Sequence, residues 1–199
     1  MTITALLVLN SNIVDNEEPK VLAVASDVSH FSYFKRASAK EFILFVARIV
    51  ANRTPPGQRH SVQQEDYMVH AFNRNGLCGV VLADTQYPMR SAFSVLIKVL
   101  DEYQRNFGDS WQSIKTDKLD VWPFLNDALA RYQDPTEADK ILKIQKELDE
   151  TKHILHEALE ALMDRGEKLD TLMEKSADLG LASQGFYKQA KKTKCCTIL

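Results

Sequence analysis

From Ile141 towards the end of this 199-residue chain, apolar side chains recur in alternating steps of three and four: Ile141, Ile144, Leu148, Leu155, Ala158, Leu162, Leu169, Leu172, Leu179, Phe186 and Ala190. Only Thr151, Arg165, Ser176 and Ser183 interrupt the stripe, and the positions between are mostly Lys, Glu, Asp and Gln. A seam this narrow, sustained over about seven heptads, is a coiled-coil seam. A solitary helix cannot keep it dry, so its core has to be completed by something else. Upstream, Asp134 is placed as an N-cap, Pro135 as the first helical residue and Glu137 as an acid in the first turn, and no proline follows. The expectation is one long helix.

Arg165 falls on a core position in the middle of this stripe, within Leu162-Met163-Asp164-Arg165-Gly166-Glu167-Lys168-Leu169. Burying a guanidinium costs several kcal/mol unless its donors are matched. A single polar core residue can nevertheless set register and partner choice. The competing reading is an Arg that snorkels from a solvated helix face.

The tail carries a second signal. Lys188, Lys191, Lys192 and Lys194 precede Cys195-Cys196-Thr197-Ile198-Leu199. Cys196-Thr197-Ile198-Leu199 has the form of a prenylation box, in which a terminal Leu points to geranylgeranyl more than farnesyl, and Cys195 offers a second thiol for a palmitoyl or a further prenyl chain. One lipid chain gives marginal membrane residence, whereas two chains aided by nearby lysines hold firmly. The state of Cys195 could therefore switch attachment.

The first 132 residues have a different texture. Short β-like runs at 2–9 and 20–27 suggest an antiparallel pair, and three further strands are expected at 58–65, 67–74 and 77–84, the last two joined across Asn75-Gly76. Ser38 and Glu41 have the spacing of a capping box for a helix running to about Arg53, where Thr54-Pro55-Pro56-Gly57 ends it. Phe42, Ile43, Phe45, Val46, Ile49 and Val50 cover more of its wheel than one packing layer needs, so it should meet neighbours on two sides. Phe93, Leu96, Ile97, Leu100, Tyr103 and Phe107 give an amphipathic helix ending near Gly108, and a shorter helix is expected over 123–132. The order ββαβββαα predicts an α+β domain with helices on both faces of an antiparallel sheet.

Other classes are excluded by composition. With 45% hydrophobic residues the chain is not disordered throughout, and 27 acids against 25 bases leave no basic excess for nucleic acid. No run is long enough to span a bilayer, and the start lacks a secretory signal, which reads as a cytosolic protein. His153 and His156 would share one helix face at a possible metal spacing, and His60 and His70 lie near Cys78 in sequence, but no further ligand completes a set, so no metal is expected. Nor is there a phosphate-binding glycine loop or a nucleophile elbow.

The runs Asp134-Pro135-Thr136-Glu137-Ala138-Asp139-Lys140, Glu147-Leu148-Asp149-Glu150-Thr151-Lys152 and Arg165-Gly166-Glu167-Lys168-Leu169-Asp170, with the Cys-Cys tail, resemble an R-SNARE, a synaptobrevin-like v-SNARE. Phe31-Ser32-Tyr33-Phe34-Lys35-Arg36 before the first helix resembles a longin domain. Together they resemble the prenylated longin R-SNAREs that lack a transmembrane anchor. The resemblance implies a longin, profilin-like domain at 1–132 with a five-stranded antiparallel sheet, a linker and helix cap at 133–138, an R-SNARE coiled-coil motif at 139–194 and a lipidation tail at 195–199. It implies Arg165 as an ionic layer facing three glutamines, with Ile141, Ile144, Leu148, Leu155, Leu162, Leu169, Leu172, Leu179 and Phe186 as coiled-coil core.

The same resemblance implies vesicle fusion in ER, Golgi, endosomal or vacuolar transport, and cycling between a closed cytosolic form and a form on the cytoplasmic face of those membranes. The implied partners are three Q-SNARE helices, tethering factors, SNARE-disassembly factors, and the membrane through covalent lipids; no cofactor and no nucleic acid is implied. It further implies prenylation at Cys196, usually farnesyl, against which Leu199 is a departure, and modification at Cys195. It places at Phe42 an exposed apolar position that receives either the seam or the prenyl chain when the longin domain folds back on the motif. The competing reading of Phe42 is sheet-facing core. The competing function is a longin-type sorting or tethering adaptor. For self-acylation assisted by the longin domain, no nucleophile and base arrangement stands in 1–132.

Overall fold

A computed structural model describes residues 2–12, 18–119, 122–140 and 152–185. Strand β1 (Ile3–Asn10) is buried along its whole length, which its run of Leu and Val on both faces requires. It pairs antiparallel with β2 (Lys20–Ser26) on one side and with β5 (Leu77–Asp84) on the other. Beyond β5 lie β4 (Tyr67–Arg74) and β3 (Gln58–Gln64), both antiparallel to their neighbours. All five strands and their antiparallel pairing agree with the expected pattern.

The turn between β4 and β5 is set by Asn75 and Gly76, at φ 52° and 98°. Two successive left-handed residues match the twist of a two-residue hairpin, and only the second needs a glycine here. A Cβ at Gly76 would approach Asn12 Cβ to 3.0 Å.

Helix α1 (Arg36–Asn52) covers one face of the sheet, while α2 (Met89–Phe107) and α3 (Pro123–Arg131) cover the other. The apolar stripe of α2 from Phe93 to Tyr103 is buried as its spacing predicts. The expected capping box of α1 is not formed. The helix begins two residues before Ser38, because a 3-10 turn at Tyr33–Lys35 leads into it and supplies early carbonyl acceptors: Lys35 N–H donates to Ser32 O and Arg36 N–H to Tyr33 O. Glu41 is thereby free to bond elsewhere.

Asp134 does cap a helix, accepting from the Thr136 amide at 2.9 Å, but α4 (Pro135–Asp139) is short. Past the undescribed stretch 141–151, the expected long helix is replaced by strand β6 (Lys152–His156), a 3-10 turn at Leu159–Leu162, and helix α5 (Leu169–Lys175), with residues 181–185 again helical. Strand β6 pairs in parallel with β3, so the sheet has six strands in the order β2-β1-β5-β4-β3-β6 rather than five. The reason is physical. A lone helix would leave its seam in water, whereas this path hydrogen-bonds the backbone to an open sheet edge and buries the apolar side chains on α1.

Substituting Gly76 by Ala forces an L-residue into the left-handed region and against Asn12. The expected cost is about 1–2 kcal/mol, read as a lower urea midpoint with an unchanged m-value.

Candidate functional site

The face of α1 turned away from the sheet is where the second segment lies. Leu159, Leu162, Leu169, Met173 and Leu179 are buried in one cluster with Ile43, Phe45, Val46 and Val50 of α1, and Leu172 packs against it half-buried. Phe45, Arg48 and Ile49 share a cleft with Leu172, Ser176 and Asp178. This accounts for the apolar wheel of α1: one side meets the sheet, the other the segment.

Three polar residues, Glu41 and Arg48 of α1 and Arg53 just past its end, fix the direction of that segment. Arg53 forms ion pairs with Asp164 and Glu167, on either side of Arg165. Arg48 is 7% exposed and bridges Asp178 and Asp117, each at 2.6 Å, while also donating to the Pro19 carbonyl. Glu41 accepts from the Gly180 amide at 2.8 Å and the Ser183 hydroxyl at 2.6 Å. As numbering rises from 164 to 183 the partners fall from 53 to 41, so the segment runs antiparallel to the helix.

Burial works against the charge on Arg48, yet the hydrogen bonds and charges of Asp117 and Asp178 outweigh it and hold the guanidinium above its ordinary range. For Asp117, burial opposes ionisation, but hydrogen bonds from Arg48 and the Val21 amide keep its carboxyl below the usual carboxylate value. Arg48 and Asp117 are thus both ionised near neutrality. The cluster ties α1, the 114–119 loop and the segment at one point.

Of the residues that sequence spacing assigns to a coiled-coil core, Leu162, Leu169 and Leu179 are buried on α1 and Leu172 half-buried, whereas Leu155 on β6 is 60% exposed. Ile141, Ile144, Leu148, Phe186, Cys195 and Cys196 lie outside the described residues. Arg165 is exposed in a turn completed by Gly166 at φ 95°. Leu159 and Met173 were not anticipated, since they lie off the three-four stripe. Nor were Arg48, Arg53 and Glu41, although a charge within Phe45-Val46-Ala47-Arg48-Ile49-Val50 is a visible signal of a buried ion pair.

Phe42 is half-buried and lines a separate apolar cavity of about 130 Å³, together with Phe31, Ala39, Ile43, Val69 and Leu82. Every residue lining it belongs to the first domain. Cys78 is fully buried and its thiol is pushed up to about 12 by that burial, which makes it inert. His153 and His156, expected on one face of a helix, stand on opposite faces of β6, because the backbone there is extended. Among the described residues no group of three or more His, Cys, Asp or Glu could hold a metal ion. No helix among them is long and apolar enough to cross a membrane.

Comparison with known proteins identifies the two parts of this arrangement, the sheet domain covered by α1 and the α2–α3 pair and the heptad segment folded onto α1. The longin family, described as a regulated-SNARE-like domain, matches residues 28–126, and the synaptobrevin family matches residues 140–198. The chain is 62% identical to the VAMP-like protein YKT61 of Arabidopsis thaliana and 55% to the VAMP-like protein YKT62 of the same plant, in each case over the full length of both chains. It is 45% identical to the synaptobrevin homolog ykt6 of Schizosaccharomyces pombe, covering 93% of this chain and 94% of that one. The chain belongs to the longin-domain synaptobrevin family of R-SNAREs, and it acts in vesicle traffic. The adaptor reading is not favoured, since the synaptobrevin match spans the seam itself.

Replacing Arg48 by Ala strips Asp178 of its cation at a site closed to water. Amide protection over 178–183 is expected to fall by about a hundredfold, in keeping with a loss of about 3 kcal/mol for a broken buried pair. Arg53→Ala, with partners nearer solvent, should lower protection over 164–167 by less than about tenfold.

Proposed function

We propose that the chain contributes the arginine strand of a four-helix fusion complex with three Q-SNARE helices, and that the docked arrangement is its closed, stored form. The observation that carries this reading is the burial of Leu162, Leu169 and Leu179 on α1. The stripe assigns the same three side chains to the bundle core. One set of leucines cannot occupy both places, so docking and zippering exclude each other.

In the complex, Arg165 would face three glutamine side chains, whose carbonyls satisfy much of its fork out of water, whereas a second arginine in that layer would be repelled. The other core positions would be Ile141, Ile144, Leu148, Leu155, Leu172 and Phe186. Membrane residence is assigned to a prenyl chain on Cys196 and a further lipid on Cys195, with the boundaries 1–132, 133–138, 139–194 and 195–199 for longin domain, linker, motif and tail. Tethering and disassembly factors complete the partner set, and the cytosol and the cytoplasmic faces of Golgi, ER-derived, endosomal or vacuolar membranes are the proposed locations.

For Phe42, the apolar cavity favours the prenyl chain over the seam as its occupant in the closed form, since no residue of the docked segment lines it and Leu172 of the seam lies in the separate cleft with Phe45 and Ile49. Phe42→Glu should expel the lipid and raise flotation of the lipidated protein with liposomes. Flotation no greater than that of the wild type would remove Phe42 from this role.

Assembly with purified Q-SNARE helices tests the main reading. The wild type should give an SDS-resistant complex, and Leu169→Asp should not. Arg48→Glu removes only the longin side of the clamp, so it should speed assembly by about tenfold or more, as expected when a buried ion pair gates the reaction. Equal rates for Arg48→Glu and wild type would show that the docked form does not gate assembly.

A further inference from the structure

Four histidines line the seam where β6 joins the sheet. On the α2 face, Ser61 Oγ lies 2.6 Å from His70 Nδ1 and 2.9 Å from His153 Nε2, with the Phe93 ring 5.4 Å from each imidazole. On the α1 face, the rings of His60 and His156 are 5.0 Å apart. Both nitrogens of His60, and Nε2 of His70 and of His156, are buried without a hydrogen-bond partner. One serine hydroxyl can serve two neutral rings, donating to one and accepting from the other, and it offers nothing that would neutralise a cation.

The cations at the seam disfavour imidazolium. Arg59 of β3 lies over the Phe93 ring at 5.1 Å and acts on His153, and Lys152 of β6 acts on His60. The remaining electrostatic influences on these rings come from the other histidines; Glu157 and Glu160, which follow β6 into the 3-10 turn packed on β3 and β6, are the acids next along the chain and are not among the groups that shift the rings.

We propose that the imidazole pairs His60–His156 and His70–His153 make the docking of β6 acid-labile, so that the motif leaves the sheet under mild acid while the longin core stays folded. Burial holds His60 and His70 down to about 4, and lowers His153 and His156 as well. A ring released to water returns to the ordinary value of about 6.5. Since the docked values are the lower ones, the docked form is undiminished above about pH 6.5 and loses ground as pH falls towards 4. Each histidine that passes from full burial to water favours the detached form by about tenfold at pH 5.5.

Hydrogen exchange of the full chain, referenced to an unstructured peptide of the same sequence, tests this. Between pH 7.5 and 5.5, protection over 152–156 should fall by about tenfold at least, with β1 and β5 unchanged. In the triple variant His60→Gln, His153→Gln, His156→Gln the level of protection is free to differ, but its pH dependence should flatten. A slope in the triple variant equal to that of the wild type would overturn the proposal. Unaltered wild-type protection at pH 5.5, or loss in β1 and β5 in step with β6, would do the same.

Discussion

An apolar stripe that has to be kept out of water governs this molecule. Leu162, Leu169 and Leu179 cannot be left in water without loss, because each buried leucine is worth roughly 1.5–3 kcal/mol relative to exposure. Helix α1 answers that need by being apolar on two sides, with Ile43, Val46 and Val50 among the groups of its cluster and Phe45 and Ile49 flanking the segment. The sheet edge at β3 answers a second need, since its backbone groups would otherwise be exposed to pairing with other chains. Much of the polar strand β3, Gln58-Arg59-His60-Ser61-Val62-Gln63-Gln64, is buried although its sequence suits an edge.

Apolar burial alone does not say which way a segment should lie. Direction comes from Glu41, Arg48 and Arg53, which bind successive points of the segment in reverse order. Of the three, only Arg48 combines deep burial with two carboxylates, and a buried ion pair is costly to break while adding little net stability when intact. That combination favours one docked geometry over neighbouring ones more than it favours docking itself. It suits the reversible docking proposed above.

The longin half was legible because its residues answer to one environment. Strands at 67–74 and 77–84, the Asn75-Gly76 turn and the stripe of α2 follow from alternation, turn chemistry and helical spacing. The docked path of the second half was not legible, because its three-four spacing predicts a helix bundle whereas the docked chain obeys other partners. Leu159 and Met173, off the stripe, are fully buried, while Leu155, on it, is exposed. His153 and His156 show the same failure in small: three residues apart they share a helix face, but in a strand they do not. Glu41 reads locally as half of a capping box, yet its partners lie about 140 residues away, a distance no local spacing rule can see. The expected lipidation box at Cys196-Thr197-Ile198-Leu199 lies outside the described residues.

Arg165 shows how the two states divide the chain's difficult residues. In the docked form Leu162, Leu169 and Leu179 are dry and the guanidinium of Arg165 is in water, on a turn bracketed by Asp164 and Glu167, which are themselves held by Arg53. The residue hardest to bury is therefore left hydrated, and docking demands no acceptor set for it. In the proposed bundle the assignment changes: the same turn becomes helix, and Arg165 has to be dehydrated among acceptors from other chains. A wrong partner could bury the leucines as well as a right one, but it would have to strip water from an arginine without replacing it. In the proposed bundle the apolar stripe would supply the drive to leave the longin domain, and the arginine would decide which bundle is worth entering.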